Sequence, residues 1–431
     1  RGAELITDQH GQGILDLFQC QSCQVLGGTF TAPGVFPAID GVTGYAEKGL
    51  VGAGFNTTLH TPAIDGARNN FVDTSTATQG GYGGAFPQDD GSTASTWGRW
   101  HGGWIGNYGD AITVIGGTGN SIRHAAMSGF NGYGVRVGLL NNPNGTALAR
   151  IDSAAEPFTP QDTTIENIKV THCYTGGVQI DRGRNTRVSG SRFEDLGHPQ
   201  SSLAMTWNSK IICDPGYGVS TSRYFPQAGL LVEDSFMLRC HRKALDVHNA
   251  YDAHFNRVTS RESRYYAAGI AFDETLIDEA FAKDQSFTFQ VTFENCDLES
   301  SAYGIFLANG ALGRGSREAA NLWWARYDIT IKDCIVRAPW GIYNNFGHGR
   351  NKIRGNRFIF SSNHRIEIGN SVYPTILDAA GIYIGDYASR GPVHGDIITE
   401  NLIENGPDGN FRFGFLINAQ QVPHYAGNRV N

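Results

Sequence analysis

Two six-residue stretches decide the fold: Ile353-Arg-Gly-Asn-Arg-Phe358 and Ile398-Thr-Glu-Asn-Leu-Ile403. Each runs apolar, variable, Gly or Glu, Asn, variable, apolar. The same pattern, with Gly, Asn, Asp or Glu third and a small or amide residue fourth, recurs along the chain. It reads Val25-Leu-Gly-Gly-Thr-Phe30, Val188-Ser-Gly-Ser-Arg-Phe193 and Val232-Glu-Asp-Ser-Phe-Met237, then Phe293-Glu-Asn-Cys-Asp-Leu298 and Ile331-Lys-Asp-Cys-Ile-Val336. A strand motif repeated in one register is the signature of a solenoid. Stacked at the ~4.8 Å strand spacing, Ser191, Ser235, Cys296, Cys334, Asn356 and Asn401 would form a ladder up an inner corner.

A second pattern lies between these copies: Gly or Ala, apolar, any, apolar. It occurs from Gly134, Gly177, Ala244, Gly269, Gly304, Gly341, Gly381 and Gly414. The tightest step, Ala244 to Gly269, is about 25 residues, one minimal coil of a β-helix. The expected fold is therefore all-β: a right-handed parallel β-helix of roughly 10–12 rungs in a single domain over residues 1–431. A sandwich would not repeat one motif in register this often, and a propeller needs about 40 residues per blade. Longer steps imply loops inserted at fixed corners, near 74–110, 139–162, 207–228, 274–286 and 314–327, the last two briefly helical. Residues 202–207 are the expected rung between Gly177 and Ala244. The first copy already resembles a mid-solenoid rung, so an upstream domain or leader is expected before Arg1, and a neighbouring subunit is expected over the far end.

Composition narrows the function. The chain has 431 residues with 56 Gly, 17% charged residues and a net charge of −7, which argues against disorder and against a helical bundle. No basic stripe occurs, so nucleic acid is not an expected partner. No apolar run is long enough for a membrane span. The seven Cys are odd in number and scattered, which does not read as a disulfide framework. Cys20-Gln-Ser-Cys23 stands without the second pair a zinc site would need. Most of the thiols read as small buried hydrophobes, fitting a chain folded in a reducing cytoplasm.

Aligned on their first residue, the Gly-apolar strands send positions three and five outward. Position three then reads Arg136, Gln179, Asp246, Ala271, Phe306, Tyr343, Tyr383 and Leu416; position five includes Asp181, His248 and Asp273. Polar chemistry gathers in the middle of this strip: Asp181 with Arg182, Asp246 with His248, and Asp273 with Glu274, flanked by Arg242 and Lys243. Phe306, Tyr343 and Tyr383 continue it as an aromatic track, and Trp207 lies in a loop beside it. Aromatic faces suit sugar rings. The strip therefore reads as a groove for a linear polysaccharide, with Arg136 among its binding residues.

Two mechanisms fit. Hydrolysis needs an acid and a base or nucleophile. Asp246 and Asp273, placed on adjacent rungs and two strand positions apart, would stand roughly 8 Å from each other, near the ~6.5–9.5 Å of an inverting pair. β-Elimination on a uronic acid needs a base, for which His248 serves, and a cation, for which Arg182, Arg242 or Lys243 serves. Neither requires a cofactor, and a structural or catalytic Ca2+ stays open.

The rung pattern resembles the pectate-lyase-like β-helix superfamily and, within it, bacteriophage tailspike polysaccharide depolymerases. That resemblance implies cleavage of a bacterial capsule or O-antigen by a homotrimer on the virion surface, or by a secreted protein outside the cell. Locally, Lys243-Ala-Leu-Asp-Val-His248 resembles the Tyr-Gly-Phe-Asp-Pro-His segment of mannuronan C5-epimerases and related alginate lyases. Asp246 and His248 match; Lys243 stands at the Tyr position and Val247 at the Pro position. The resemblance implies a lyase or epimerase as the alternative activity, and a non-catalytic carbohydrate-binding adhesin remains a third reading.

Overall fold

A computed structural model describes residues 4–6, 15–31, 85–87, 93–95, 110–130, 132–138, 156–173, 175–197, 206–207, 210–211, 216–221, 227–240, 242–248, 250–263, 266–272, 289–309, 327–344, 351–361, 379–384, 396–417 and 424–431. These form a right-handed parallel β-helix. Three sheets of 11, 11 and 12 strands run its length, every pairing within them parallel. Each rung contributes one strand to each sheet in turn, as Gly176–Ile180, Arg187–Ser189 and Arg192–Leu196 do. We call these the first, second and third sheets. Two short antiparallel pairs stand outside them, Ala85–Pro87 with Thr93–Ser95 and Thr206–Trp207 with Lys210–Ile211.

The repeated hexapeptide is the corner between the second and third sheets. Its third residue adopts left-handed backbone, with φ of 58° at Gly190, 49° at Asp234, 54° at Asn295, 53° at Asp333 and 60° at Glu400. Gly, Asn and Asp tolerate that region best, which explains the restricted choice there. The fourth residue turns inward as a ladder. Asn356 Nδ2 donates to Asn401 Oδ1 at 3.0 Å, and Asn401 Nδ2 to Asn428 Oδ1 at 2.9 Å. Lower down, Ser191 Oγ accepts from Ile168 N at 3.3 Å, and Cys296 and Cys334 are buried in the same row. Apolar residues flanking each corner, such as Val188 with Phe193 and Ile331 with Val336, fill the single interior core.

The first-sheet strands obey a different rule. Tyr303 pairs with Trp340 and Ile305 with Ile342, while Gly304 and Gly341 between them turn inward. A Cβ on Gly304 would lie 2.1 Å from Val336 Cγ1. Only Gly or Ala fits this place, and Ala111, Ala244 and Ala267 hold it on three rungs.

Two register expectations are corrected here. The rung between Gly177 and Ala244 is Tyr217–Thr221, not residues 202–207, of which Thr206–Trp207 sits in an antiparallel pair. On the next rung the small inward residue is Ala267, not Gly269, because Asp246 pairs with Gly269 and His248 with Ala271. Asp273 is thus four positions past the residue opposite Asp246, not two, and the ~8 Å estimate for an Asp246–Asp273 pair loses its basis. Asp273 and Glu274 lie outside the described residues, as do most of the expected insertions, including the two expected helical stretches.

Candidate functional site

The inward turn at each small residue places two rows of side chains on the outer face of the first sheet. One row is Asp110, Tyr133, Gly176, Tyr217, Lys243, Tyr266, Tyr303, Trp340 and Ala380; the other is Thr113, Arg136, Gln179, Ser220, Asp246, Gly269, Phe306, Tyr343 and Tyr383. The face divides at Gly269 into a polar half and an aromatic half. It is not an open groove: Arg136, Asp181, Asp246, Trp340 and Tyr343 are all buried.

In the polar half, Arg136 bridges two carboxylates. Its Nε donates to Asp110 Oδ2 at 2.5 Å and its Nη1 to Asp181 Oδ2. Asp110 also accepts the Tyr133 amide at 2.7 Å, and Asp181 accepts from Gln179 Nε2 at 2.9 Å. Ser220 donates to Gln179 in turn. Burial pushes the Asp110 pKa up against the pull of Arg136. Arg182, expected to bind substrate, is one of the largest fully buried side chains. This network fixes Arg136 and Asp181 as parts of a packed polar layer.

One rung past Ser220 the chemistry changes. Asp246 Oδ1 receives Lys243 Nζ at 2.5 Å and His248 Nε2 at 3.2 Å. Alternation along the strand Lys243–His248 brings Asp246 and His248 to one face, and the inward turn at Ala244 returns Lys243 to it. Gly269 leaves room for the lysine: a Cβ there would meet Lys243 Nζ at 3.2 Å. The Lys243 ammonium also sits 5.2 Å from the Tyr266 ring centre. Thr221 Oγ1 accepts the His248 amide at 2.6 Å, fixing the strand end. Arg242 donates to Tyr217 Oη at 2.5 Å.

Burial works to raise the Asp246 pKa, but the Lys243 ammonium, then His248 and Arg242, outweigh it and hold the carboxyl well below the usual range. Asp246 is therefore an anion at neutral pH, suited to orienting a base and unsuited to donating a proton. Side-chain exposure is 7% at Asp246, 11% at Lys243 and 15% at His248. With Nε2 engaged, His248 Nδ1 is screened from solvent and has no hydrogen-bond partner among the described residues.

The aromatic half is a stack. Phe306 and Tyr343 lie 5.4 Å apart and parallel, and Tyr343 and Tyr383 are 4.6 Å apart. Tyr266, Tyr303 and Trp340 run beside them and complete a second apolar cluster. The expected track exists, with Tyr343 buried inside it and Phe306 and Tyr383 half-buried. Sequence reasoning missed Asp110, Tyr133, Ser220, Tyr303 and Trp340. For all but Ser220, the signal that could have found them was the aromatic or polar residue before each Gly or Ala; Ser220 stands two residues after Gly218.

Among the described residues, no group of three or more His, Cys, Asp or Glu is placed to hold a metal ion, and no helix is long and apolar enough to cross a membrane. Comparison of the chain with protein-family models, with curated proteins and with solved structures finds no match. The class is defined by the fold alone: a right-handed parallel β-helix with a buried polar and aromatic strip on one sheet.

Proposed function

We propose that this β-helix cleaves an acidic polysaccharide of a bacterial surface by β-elimination at Asp246, His248 and Lys243. The observation that carries the reading is the contact of one carboxylate, held ionised, with both a histidine and a lysine. His248 Nδ1 takes the proton from C5 of a uronate, Lys243 steadies the negative charge that develops on the uronate carboxyl, and Asp246 orients the imidazole. The C5–H and C4–O bonds break, a C4–C5 double bond forms, and the departing oxygen takes up a proton. His248 Nδ1 is screened, so the proposed reaction requires this face to open locally before substrate can reach it. Paired-carboxylate hydrolysis, the mechanism the sequence slightly favours, would need a carboxylic acid beside Asp246, and Asp246 itself is in the wrong state to be one.

The tailspike resemblance extends the proposal to a homotrimer on a phage tail; a secreted bacterial protein is the other setting. The test is digestion of a panel of acidic and neutral capsules and O-antigens. Unsaturated uronate absorbance, lost in His248→Ala, supports the proposal. New reducing ends without that absorbance would favour hydrolysis, and neither signal would leave the adhesin reading.

A further inference from the structure

The corner between the first two strands of the first rung carries Cys20 and Cys23, used by nothing above. It joins Leu15–Phe18 to Gln24–Leu26. Left-handed backbone at Gln19 (φ 48°) and Ser22 (φ 54°) folds it tightly. The buried side chain of Asn120, one rung on, pins both cysteines at once: its Nδ2 donates to Cys20 O and its Oδ1 accepts from Cys23 N, each at 3.0 Å. Thr118 N also donates to Cys20 O at 3.1 Å, and Ser121 N to Cys23 O at 2.9 Å. Both thiols are half-buried against the core. The neighbouring Cys23 thiol and burial raise the Cys20 pKa.

We propose that Cys20 and Cys23 are a thiol pair arranged to close into a disulfide, a redox-modification site at the first rung. A dithiol with two residues between its members, in a tight corner whose backbone is pinned at both of them and partly open to solvent, meets the access and proximity that exchange requires. The oxidant is a small-molecule disulfide such as oxidised glutathione. One cysteine thiolate attacks a glutathione sulfur, forming a mixed disulfide and releasing one glutathione thiol. The other cysteine then displaces the second glutathione. Two protein thiols become one disulfide, and one oxidised glutathione becomes two reduced. The other stacked pair, Cys296 and Cys334, is buried within the corner ladder, where Cys334 Sγ lies 3.2 Å from Lys332 O. Its burial keeps it from the same reagent.

The experiment treats the folded chain with oxidised glutathione, blocks remaining thiols with N-ethylmaleimide after unfolding, and maps the peptides by mass. The expected result is loss of two hydrogens on the peptide holding Cys20 and Cys23, with no glutathione attached, while Cys173, Cys240, Cys296 and Cys334 carry maleimide. Cys20→Ser should then stop at a stable Cys23–glutathione adduct. Unreacted Cys20 and Cys23 under conditions that oxidise a free CxxC peptide, or glutathione retained on both in the unmutated chain, would overturn the proposal. Circular dichroism of Cys20→Ser checks that the β-helix is intact; if that variant fails to fold, the peptide map of the unmutated chain alone decides.

Discussion

Replacing Asn401 with Leu should weaken the last rungs by an amount the ladder itself sets. The Asn401 side chain makes four hydrogen bonds: it accepts from Asn356 N and Nδ2, and donates to Ile353 O and Asn428 Oδ1. Asn356 Nδ2 keeps Ile331 O, and Asn428 Oδ1 keeps Asn401 N. The Asn356 N–H and the Ile353 carbonyl lose the partner that Asn401 supplied. A buried donor left without a partner costs about 1–3 kcal/mol, which is the loss expected at the Asn356 N–H; the Ile353 carbonyl still lies in the ladder with the next strand. A solenoid opens by segments, so the assay is amide exchange rather than a global transition. The Asn356 amide should exchange at least about fivefold faster, the equivalent of ~1 kcal/mol. Asn401→Ser should cost less, because Ser191 already accepts the preceding rung's amide in its own corner. An Asn356 exchange rate within about threefold of the unmutated chain would refute the ladder as a source of stability, since that is under ~1 kcal/mol.

Other changes act elsewhere. Arg136→Met removes the cation between Asp110 and Asp181 and should cost about 3–5 kcal/mol near neutral pH, with less loss in acid, as measured by urea unfolding. Gly304→Ala should cost about 1–3 kcal/mol in the same assay, because its Cβ would lie 2.1 Å from Val336 Cγ1, whereas Ala267 carries that methyl without harm one rung earlier. The Asp246 pKa is depressed in the folded chain, so its stabilisation is present above the usual carboxylate range and lost as pH falls through the lower folded value. Asp246→Asn should therefore give a shallower acid limb in unfolding free energy against pH; an unchanged slope would contradict the assigned charge state.

The corner was legible because it makes two strict demands. Left-handed backbone restricts the third residue, and a narrow inner turn restricts the fourth; few residue types satisfy both, so Gly355-Asn356 and Glu400-Asn401 stand out. The first sheet was harder. Ala267-Ala268-Gly269 offers three small residues where one is needed, and the sequence alone favours Gly269. The row Tyr266, Tyr303 and Trp340 would have resolved it. The same inward turn puts residues three apart on one face, which a period-two reading cannot anticipate, and so Asp110 and Tyr133 were not grouped with Arg136. Tyr217–Thr221 was hidden inside the expected insertion at 207–228, although Gly218-Val219 carries the strand signature. The Asp246–His248 contact was legible from alternation, whereas the burial of the strip depends on what packs over the sheet and has no local signal.

The most direct test of elimination at Asp246, His248 and Lys243 is the mass of the two new chain ends made by cutting one defined uronate oligosaccharide. Elimination adds nothing, so the two products should sum to the mass of the substrate, with the deficit of one water relative to hydrolysis located on the end bearing the double bond. Products that together exceed the substrate by one water would contradict the account and return the site to hydrolysis.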